Sequence, residues 1–298
     1  MSSVWRVGEA LHAALAADTV AHRPNHAGAG RLSFAVARGA DRFWARVAAD
    51  DAEHRALLRW AVHADLLAER YAAPPVLEVL TVAGRAGLLF PFLDAPVATR
   101  DRLADRADDV LAVLADLHAD AGLAESLDPP TTAGHSFTQV WLTRLEADLA
   151  VVEGYVAPDV HAWMVDEVDV LAGLVAGPAF SEPVRAPVHG DPWHENLLLG
   201  PDRFWLLDWE DLTVGDPVVD DAILLADACG PEVAAWHGRR PARDPDEAVR
   251  LEVACRALML DAVVDVAADW VENHDPVVRQ AKERGWQAAL EAYRTAYP

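Results

Sequence analysis

Residues 189–210 read His-Gly-Asp-Pro-Trp-His-Glu-Asn-Leu-Leu-Leu-Gly-Pro-Asp-Arg-Phe-Trp-Leu-Leu-Asp-Trp-Glu. Within this stretch, two short apolar runs are separated by a Gly-Pro-Asp turn, a pattern that predicts a β-hairpin. The hairpin would place Asn196 and Asp208 together at its open end, and Asp191 on the loop just before it. We therefore expect two carboxylates and one amide to converge on one spot.

These three side chains carry oxygen donors, which are the ligands that a hard cation such as Mg²⁺ prefers. Phosphoryl transfer passes through a loose, charge-rich transition state, so its catalysis is mostly positioning and charge neutralisation. The spacing predicts that Asp191 accepts the proton of a substrate hydroxyl. It predicts that Asn196 and Asp208 hold the metal that bridges the nucleotide phosphates.

The pattern His-Gly-Asp-x4-Asn, followed by Asp-Trp-Glu, resembles the aminoglycoside phosphotransferase and choline kinase-like family, a branch of the protein-kinase-like fold. The matched elements, in chain order, are His189, Gly190, Asp191, Asn196, Asp208, Gly215, Asp216, Pro217 and Asp220. We expect His189 to brace the loop rather than to act as a base. Asp216 and Asp220 are expected to cap a helix or to brace the same loop, because Asp before a helical run is a common N-cap.

Composition narrows the class of protein. The chain has 298 residues, of which 52% are hydrophobic, as expected for a globular protein with one large or two modest domains. The formal net charge of −23 argues against a nucleic acid or an anionic membrane as partner, since phosphate contacts need Lys and Arg. The acidity is compatible with a cationic small-molecule acceptor, and equally with a role in solubility alone. The two cysteines form no disulfide or zinc pattern, and no long apolar run is present, so we expect a cytoplasmic protein.

The order of predicted elements is strand-rich and then helical. Strands are predicted over 31–37, 42–48, 76–82 and 87–92, with helices over 7–17 and 51–70. Further helices are predicted over 100–117, 137–153, 158–176, 219–229, 245–273 and 275–296. This order predicts the α+β class. With the resemblance, it implies a two-lobe protein-kinase-like fold, with a small β-rich nucleotide-binding N-lobe over 1–93 and a larger helical C-lobe over 94–298 that carries the catalytic and acceptor-binding residues.

The nucleotide side departs from the family pattern at one position. The resemblance implies a phosphate-anchoring Lys on the third small-lobe strand, but Arg46 stands there, and the only lysine of the chain is Lys282. We expect Arg46 to hold the phosphates, although Arg is a planar fork of donors and not a point charge. Glu53, which opens the next helix, is expected to pair with Arg46 or to serve the helix dipole. Weakened or lost ATP binding is the alternative.

Other nucleotide contacts are carried by weaker signals. Gly28, Gly30 and Ser33 are candidates for the turn that covers the phosphates, although this loop lacks a complete glycine-rich fingerprint. Phe90 and Phe92 lie in the segment that, by the resemblance, leads to the hinge between the lobes, where backbone groups would meet the adenine edge. A buried strand would explain the same apolar residues.

The acceptor side is suggested by an acidic repeat. Asp261, Asp265 and Asp269 recur every four residues on a predicted helix. Such a row is either a solvated acidic face or a wall that recognises a cationic acceptor, because the family draws acceptor contacts from its C-terminal helices. Glu210 and Asp211, just after the metal-binding Asp, are candidates to extend that wall.

Three functions are compatible with these residues. The first is a Mg²⁺-dependent kinase that transfers the γ-phosphate of ATP or GTP to a hydroxyl of an antibiotic such as an aminoglycoside, or of a related metabolite. The second, motivated by the missing Lys, is a pseudokinase-like nucleotide-binding protein without transfer activity. The third is a metal-dependent hydrolase that uses His189, Asp191, His194 and Asp208 around a transition metal.

Overall fold

The computed structural model describes residues 3–23, 32–230 and 233–298. The chain divides into two compact units, and one of them combines Met1–Thr99 with Asp191–Leu212. The other combines Arg100–Gly190 with Thr213–Pro298. The segment that carries the predicted metal-binding residues thus belongs to the same unit as the first part of the chain, whereas the expected lobes were contiguous. The lobe boundary after residue 93 stays a prediction.

The first unit is built on an antiparallel sheet. Its elements up to residue 99 are α1 (Ser3–Leu15), β1 (Thr19–His22), β2 (Leu32–Arg38), β3 (Asp41–Val47), α2 (Asp51–Arg70), β4 (Glu78–Val82) and β5 (Arg85–Pro91). The sheet order is β1-β2-β3-β5-β4. Along β2, buried residues alternate with partly exposed ones, because successive side chains of a strand point to opposite faces. Leu11 and Leu15 of α1 pack with Phe34 of β2 in a core on one face of this sheet.

Helix α2 begins and ends at the residues that the sequence predicts. Its N-cap, Asp50, accepts hydrogen bonds from the backbone N–H of Ala52 (2.8 Å) and Glu53 (2.9 Å), which satisfies two of the donors that a helix start leaves open. The helix buries Leu57, Trp60, Ala64 and Leu67 along one stripe. Burying a side chain of the size of leucine contributes roughly 1.5–3 kcal/mol, so this stripe fixes α2 in place.

Short helices dominate the first half of the second unit. Its elements up to residue 190 are α3 (Arg100–Ala104), α4 (Ala107–His118), α5 (Ala121–Ser126), β6 (Thr131–Thr132), α6 (Ala133–Phe137), α7 (Thr143–Val152), α8 (Pro158–Val175), β7 (Pro183–Val184) and β8 (Ala186–Val188). The prediction of one helix over 100–117 is wrong. The chain turns where the Arg106 N–H donates to the Leu103 carbonyl (2.9 Å), and Asp108 and Asp109 then favour a new helix start.

The hairpin of the first unit forms as predicted. Strands β9 (Leu197–Leu199) and β10 (Phe204–Leu206) pair antiparallel, with Leu197 opposite Leu206. The Leu207 N–H donates to the Asn196 carbonyl over 2.8 Å, which extends the pairing by one residue. Asn196 and Asp208 therefore both lie at the open end of this hairpin.

The remaining elements complete the second unit. They are β11 (Thr213–Gly215), α9 (Pro217–Cys229), α10 (Val233–Arg239), α11 (Pro245–Glu272) and α12 (Pro276–Ala296). Strand β11 pairs with β8, and the long helix α11 packs against α7, α9 and α12. Sequence patterns missed several short elements, namely α5, α6, α10, β1, β6, β7, β8 and β11. The α+β class is confirmed. Across the described ranges, no helix combines the length and the apolar character needed to cross a membrane.

Candidate active site

The side chain of Asn196 is hydrogen-bonded to Asp191, the candidate base. It is 7% exposed and ends a short 3₁₀ turn, His194–Asn196, that leads into β9. Its Nδ2 nitrogen donates to the Asp191 carbonyl oxygen (2.9 Å) and to Asp191 Oδ2 (2.8 Å). The Asn196 Oδ1 oxygen is an acceptor that can meet a cation.

Asp208 occupies a strained backbone conformation. Its φ of 56° and ψ of 59° lie in the left-handed region, which costs an L-residue other than glycine roughly 1–2 kcal/mol. The next residue, Trp209, is fully buried and donates from Nε1 to the Leu206 carbonyl (2.7 Å), so the surrounding packing holds the turn in place. Strained backbone conformations of this kind cluster at functional sites.

The oxygen donors at the hairpin end fit a hard cation. Asn196 offers an amide oxygen and Asp208 a carboxylate. Mg²⁺ in nucleotide sites is typically held by one or two protein oxygens together with substrate phosphates. This donor set therefore suits Mg²⁺ better than a soft transition metal.

The backbone before Asp191 is supported by Asp220 in the second unit. Asp220 is fully buried and accepts hydrogen bonds from the backbone N–H of His189 and of Gly190, each over 2.8 Å, and it lies 2.9 Å from His118 Nε2. Burial alone would raise the pKa of Asp220, but the bonds from His118 and the backbone outweigh it and lower the pKa. Gly190 has a φ of 92°, which only glycine adopts readily. His189 is buried beside it.

Asp216 starts the helix that carries Asp220. It is the N-cap of α9, where its Oδ1 accepts from the Val218 N–H (3.1 Å). Its Oδ2 pairs with Arg250 Nε over 2.8 Å. Sequence analysis missed both Arg250 and His118, because each is far along the chain from its partner and lies in an ordinary amphipathic helix.

Arg46 is buried among acidic groups of the first unit. Its Nη2 lies 2.7 Å from Glu210 Oε1 and its Nε lies 3.2 Å from Glu210 Oε2. The expected contact to Glu53 Oε1 is longer, at 3.5 Å, and Nη1 reaches Ser33 Oγ at 3.4 Å. The Glu210 carboxylate is thus buried against Arg46, and its place in an acceptor-binding wall stays a prediction.

Other nucleotide-side candidates are placed as follows. Gly28 and Gly30 lie outside the described residues. Phe90 is buried on β5, with its ring 5.0 Å from that of Trp60, as expected of a core strand. Phe92 is 39% exposed, and the Arg42 guanidinium lies over its ring at 3.9 Å.

The acidic repeat of α11 belongs to a larger group. We define the acidic face as Asp148 of α7 with Asp261, Asp265 and Asp269 of α11. Arg144 Nη2 pairs with Asp261 Oδ1 over 2.6 Å, and Lys282 pairs with Asp269.

Proton affinities on the acidic face are raised. Burial, opposed by Arg144 and reinforced by neighbouring carboxylates, raises the pKa of Asp148 to about 6. Burial together with the charge of Asp261 raises the pKa of Asp265 to about 6.

Asp211, the other predicted acceptor residue, is exposed in the first unit.

The hydrolase alternative depends on a group of side chains that could hold a transition metal. Within the parts of the chain that the structure describes, no three His, Cys, Asp or Glu side chains are grouped so that they could hold one metal ion. A transition-metal hydrolase built on His189, Asp191, His194 and Asp208 would need such a group.

Solved structures share this fold at low sequence identity. An aminoglycoside phosphotransferase in complex with GDP and kanamycin is 15% identical, with a TM-score of 0.62 over 96% of each chain. A spectinomycin phosphotransferase in complex with ADP and spectinomycin is 11% identical, with a TM-score of 0.60 over 96% of this chain and 94% of that one. A choline/ethanolamine kinase family protein from Mesorhizobium loti is 19% identical, with a TM-score of 0.57 over 91% and 88%.

These similarities confirm the kinase-like fold that the sequence predicts. No curated protein matches the chain by sequence. The model of the phosphotransferase enzyme family matches residues 21–253, which is most of the chain. The chain therefore belongs to the phosphotransferase enzyme family, whose members transfer phosphate to hydroxyl groups.

Proposed function

We propose that this phosphotransferase moves the γ-phosphate of ATP or GTP to a hydroxyl of a cationic small molecule, such as an aminoglycoside or a related amino-bearing metabolite. The observation that carries the proposal is the pair of hydrogen bonds by which Asn196 orients Asp191, at the hairpin end that also carries Asp208. We further propose that it acts in the cytoplasm, where ATP is available, and that phosphorylation of an antibiotic acceptor would confer resistance.

Asp191 would serve as the general base. Its carboxylate accepts the proton of the acceptor hydroxyl as the acceptor oxygen forms a bond to the γ-phosphorus. The bond between the γ-phosphorus and the bridging oxygen breaks, and the nucleoside diphosphate leaves with that oxygen. The hydrogen bond from Asn196 Nδ2 holds the Asp191 carboxylate in one orientation during this step. Asp220 fixes the backbone that leads to Asp191.

Mg²⁺ would be held by the Asn196 amide oxygen and the Asp208 carboxylate. It would supply neutralisation of the nucleotide phosphates. Arg46 would add a second positive group. The related structures that contain GDP or ADP support the use of a nucleotide by this fold.

The acidic face supports a cationic acceptor. It gathers four carboxylates against two basic side chains, and the whole protein carries a formal net charge of −23. These carboxylates are half-buried, so their excess of negative charge is costly, and a bound ammonium group would offset it. Kanamycin in one similar structure is an acceptor of this chemical kind.

A second candidate is a nucleotide-binding protein without transfer activity. The observation in its favour is that Arg46 already contacts Glu210 and Glu53, so its charge is compensated before any phosphate approaches. Such a protein would bind Mg·ATP and turn over no acceptor.

A panel screen separates the two candidates. Consumption of ATP and of GTP with Mg²⁺ is measured against aminoglycosides, peptide antibiotics, nucleosides and amino alcohols, with mass spectrometry of each product. The kinase proposal expects a phosphorylated product from a cationic acceptor. Binding of Mg·ATP by calorimetry with no product across the panel would favour the second candidate.

A further inference from the structure

The geometry points to Glu210, rather than Glu53, as the carboxylate that orients Arg46 toward the nucleotide phosphates. We infer that Arg46 and Glu210 form a matched pair in which lysine cannot take the place of Arg46. This inference rests on the proposed function and specifies how its nucleotide site is built.

The contact between Arg46 and Glu210 is a two-point contact. Each carboxylate oxygen meets one nitrogen on the same edge of the guanidinium, Nη2 at 2.7 Å and Nε at 3.2 Å. The two side chains are 5% and 6% exposed, so water competes little for these bonds. A fork-to-fork contact of this kind fixes the plane of the guanidinium as well as its position. Nη1, on the other edge, makes the looser contact with Ser33 among the residues that the structure describes, and it can turn to a phosphate oxygen.

Glu53 is engaged differently. Its Oε2 accepts a hydrogen bond from the Ala49 N–H over 2.7 Å, which secures the connection between β3 and α2. Its other oxygen lies 3.5 Å from Arg46 Nη2, and its side chain is 22% exposed. A single long contact of a partly exposed pair contributes little to orientation. Glu53 therefore supports the helix start, while Glu210 aligns the cation.

Glu210 is well placed to couple the anchor to the metal ligand. It follows Asp208 by two residues, within the 3₁₀ turn Trp209–Asp211. Its backbone carbonyl accepts from Arg59 Nη2 of α2 at 3.4 Å. The buried pair thus joins β3 to the segment that carries Asp208, although the two partners lie 164 residues apart in sequence. The short segment that contains Asp208 and Glu210 therefore positions both the candidate metal ligand and, through Glu210, the phosphate anchor Arg46.

Lysine at position 46 could not reproduce this arrangement. An ammonium is a point charge on a flexible stem and cannot meet both Glu210 oxygens in the plane of the carboxylate. One buried Glu210 oxygen would lose its bond to the guanidinium, and the cation would no longer be held in one direction. Arg46→Lys, which brings in the residue that the wider family uses, is therefore expected to weaken nucleotide binding.

The test uses the full chain and a nonhydrolysable ATP analogue with Mg²⁺, measured by calorimetry, so no acceptor is required. We expect Arg46→Lys and Glu210→Gln each to weaken binding by about tenfold or more, as for loss of a buried charge-assisted contact. The double variant should be no weaker than the weaker single variant, because both remove the same pair. Glu53→Gln should lose several times less than Glu210→Gln. Glu78→Gln, at an exposed position of β4, is the matched control and should bind like the wild type.

Circular dichroism and thermal unfolding check that each variant folds. Arg46→Lys keeps the charge and tests the inference even where Glu210→Gln does not fold. Binding by Arg46→Lys as tight as the wild type would overturn the inference, as would a larger loss for Glu53→Gln than for Glu210→Gln. A Glu210→Gln variant that keeps nucleotide affinity at saturating Mg²⁺ but needs more Mg²⁺ would also overturn it, since Glu210 would then be a metal ligand. If the wild type itself fails to bind Mg·nucleotide at millimolar concentration, both the proposed function and this inference are wrong.

Discussion

Carboxylates meet basic side chains in two regions of this molecule, one buried and one half-buried, and the two regions differ in geometry and in charge. Around Arg46, a single guanidinium is gripped by both oxygens of Glu210, and the contacts are directional. On the acidic face, the carboxylates outnumber Arg144 and Lys282, and the pKa of Asp265 is raised to about 6. The first region holds one guanidinium in a fixed orientation. In the second region, the four carboxylates carry more negative charge than the two basic side chains offset.

The two regions have the properties that two different ligands need. A transferring phosphate needs donors at fixed positions, because its transition state is stabilised by geometry. A cationic acceptor needs mainly negative potential, since ammonium groups are compact point charges with flexible hydrogen bonds. Raised proton affinities on the acidic face are what a site for a positive ligand would show before that ligand binds.

The largest effect is expected at the hairpin end of the first region. Asp208→Asn should lower kcat by about a thousandfold and raise the Mg²⁺ concentration for half-maximal rate about tenfold, because the carboxylate proposed to bind Mg²⁺ is lost. Steady-state rates over a Mg²⁺ titration measure both quantities. Asp202→Asn, in the exposed turn of the same hairpin, is the control and should leave them unchanged. An equal shift in the Mg²⁺ requirement from Asp265→Asn would break the division between the two regions.

Removing the support of the loop is expected to act on rate and stability together. Asp220→Asn weakens the acceptor for the N–H groups of His189 and Gly190 and leaves His118 without its charged partner. Because a buried partner is removed, unfolding should become easier by about 3–5 kcal/mol, and kcat should fall about a hundredfold with KM for nucleotide little changed. Thermal unfolding and steady-state kinetics measure these effects. Wild-type kcat in a folded variant would contradict the role of Asp220.

A smaller effect is expected on acceptor affinity. Asp265→Asn removes one negative charge from the acidic face and should raise KM for a cationic acceptor by about five- to tenfold, or roughly 1–1.4 kcal/mol, at nearly constant kcat. Increasing salt should reduce the difference. Asp246→Asn, at an exposed position in the first turn of the same helix, is the matched control. Equal KM values for the two variants would mean that the acidic face does not bind the acceptor.

The smallest effect concerns stability as a function of pH. The pKa of Asp265 is raised from 3.8 to about 6, so the folded protein favours the protonated form. The stability that this group contributes is therefore present below pH 4 and is lost as the pH rises toward 6. Because asparagine does not ionise, Asp265→Asn does not lose this stability as the pH rises. Above pH 6 the variant should be more stable than the wild type by about 1 kcal/mol after solvent screening, which corresponds to about 2 °C in Tm. Equal Tm shifts at pH 4 and pH 7.5 would refute this sign.

Local patterns made much of the fold predictable from the sequence. Helix α2 was predicted to the residue because its apolar positions repeat with helical spacing, and in the structure Asp50 caps its start. The hairpin was predicted because its turn residues separate two apolar runs, and with it the meeting of Asn196 and Asp208. The break at Arg106 and the short β1 and α10 were missed, since each depends on packing that leaves little local signal.

The long-range pairs could not be predicted from one sequence. Glu210 was assigned to the acceptor side because it follows the metal-binding Asp, but it pairs with Arg46, 164 residues away. His118 reaches Asp220 across 102 residues, and nothing in the helix around it marks it as a partner. Residue type and spacing predict which groups can react, whereas the fold decides which charges neutralise one another.

We propose that Asp191 deprotonates an acceptor hydroxyl during direct transfer of the nucleotide γ-phosphate. The most direct measurement follows γ-labelled ATP in a single turnover with an acceptor from the panel, for the wild type and for Asp191→Asn. The wild type should move the label onto an acceptor oxygen, and Asp191→Asn should bind Mg·ATP but transfer label about a thousandfold more slowly. Transfer at the wild-type rate by Asp191→Asn would exclude Asp191 as the base, and release of the wild-type label only to water would exclude direct transfer to an acceptor.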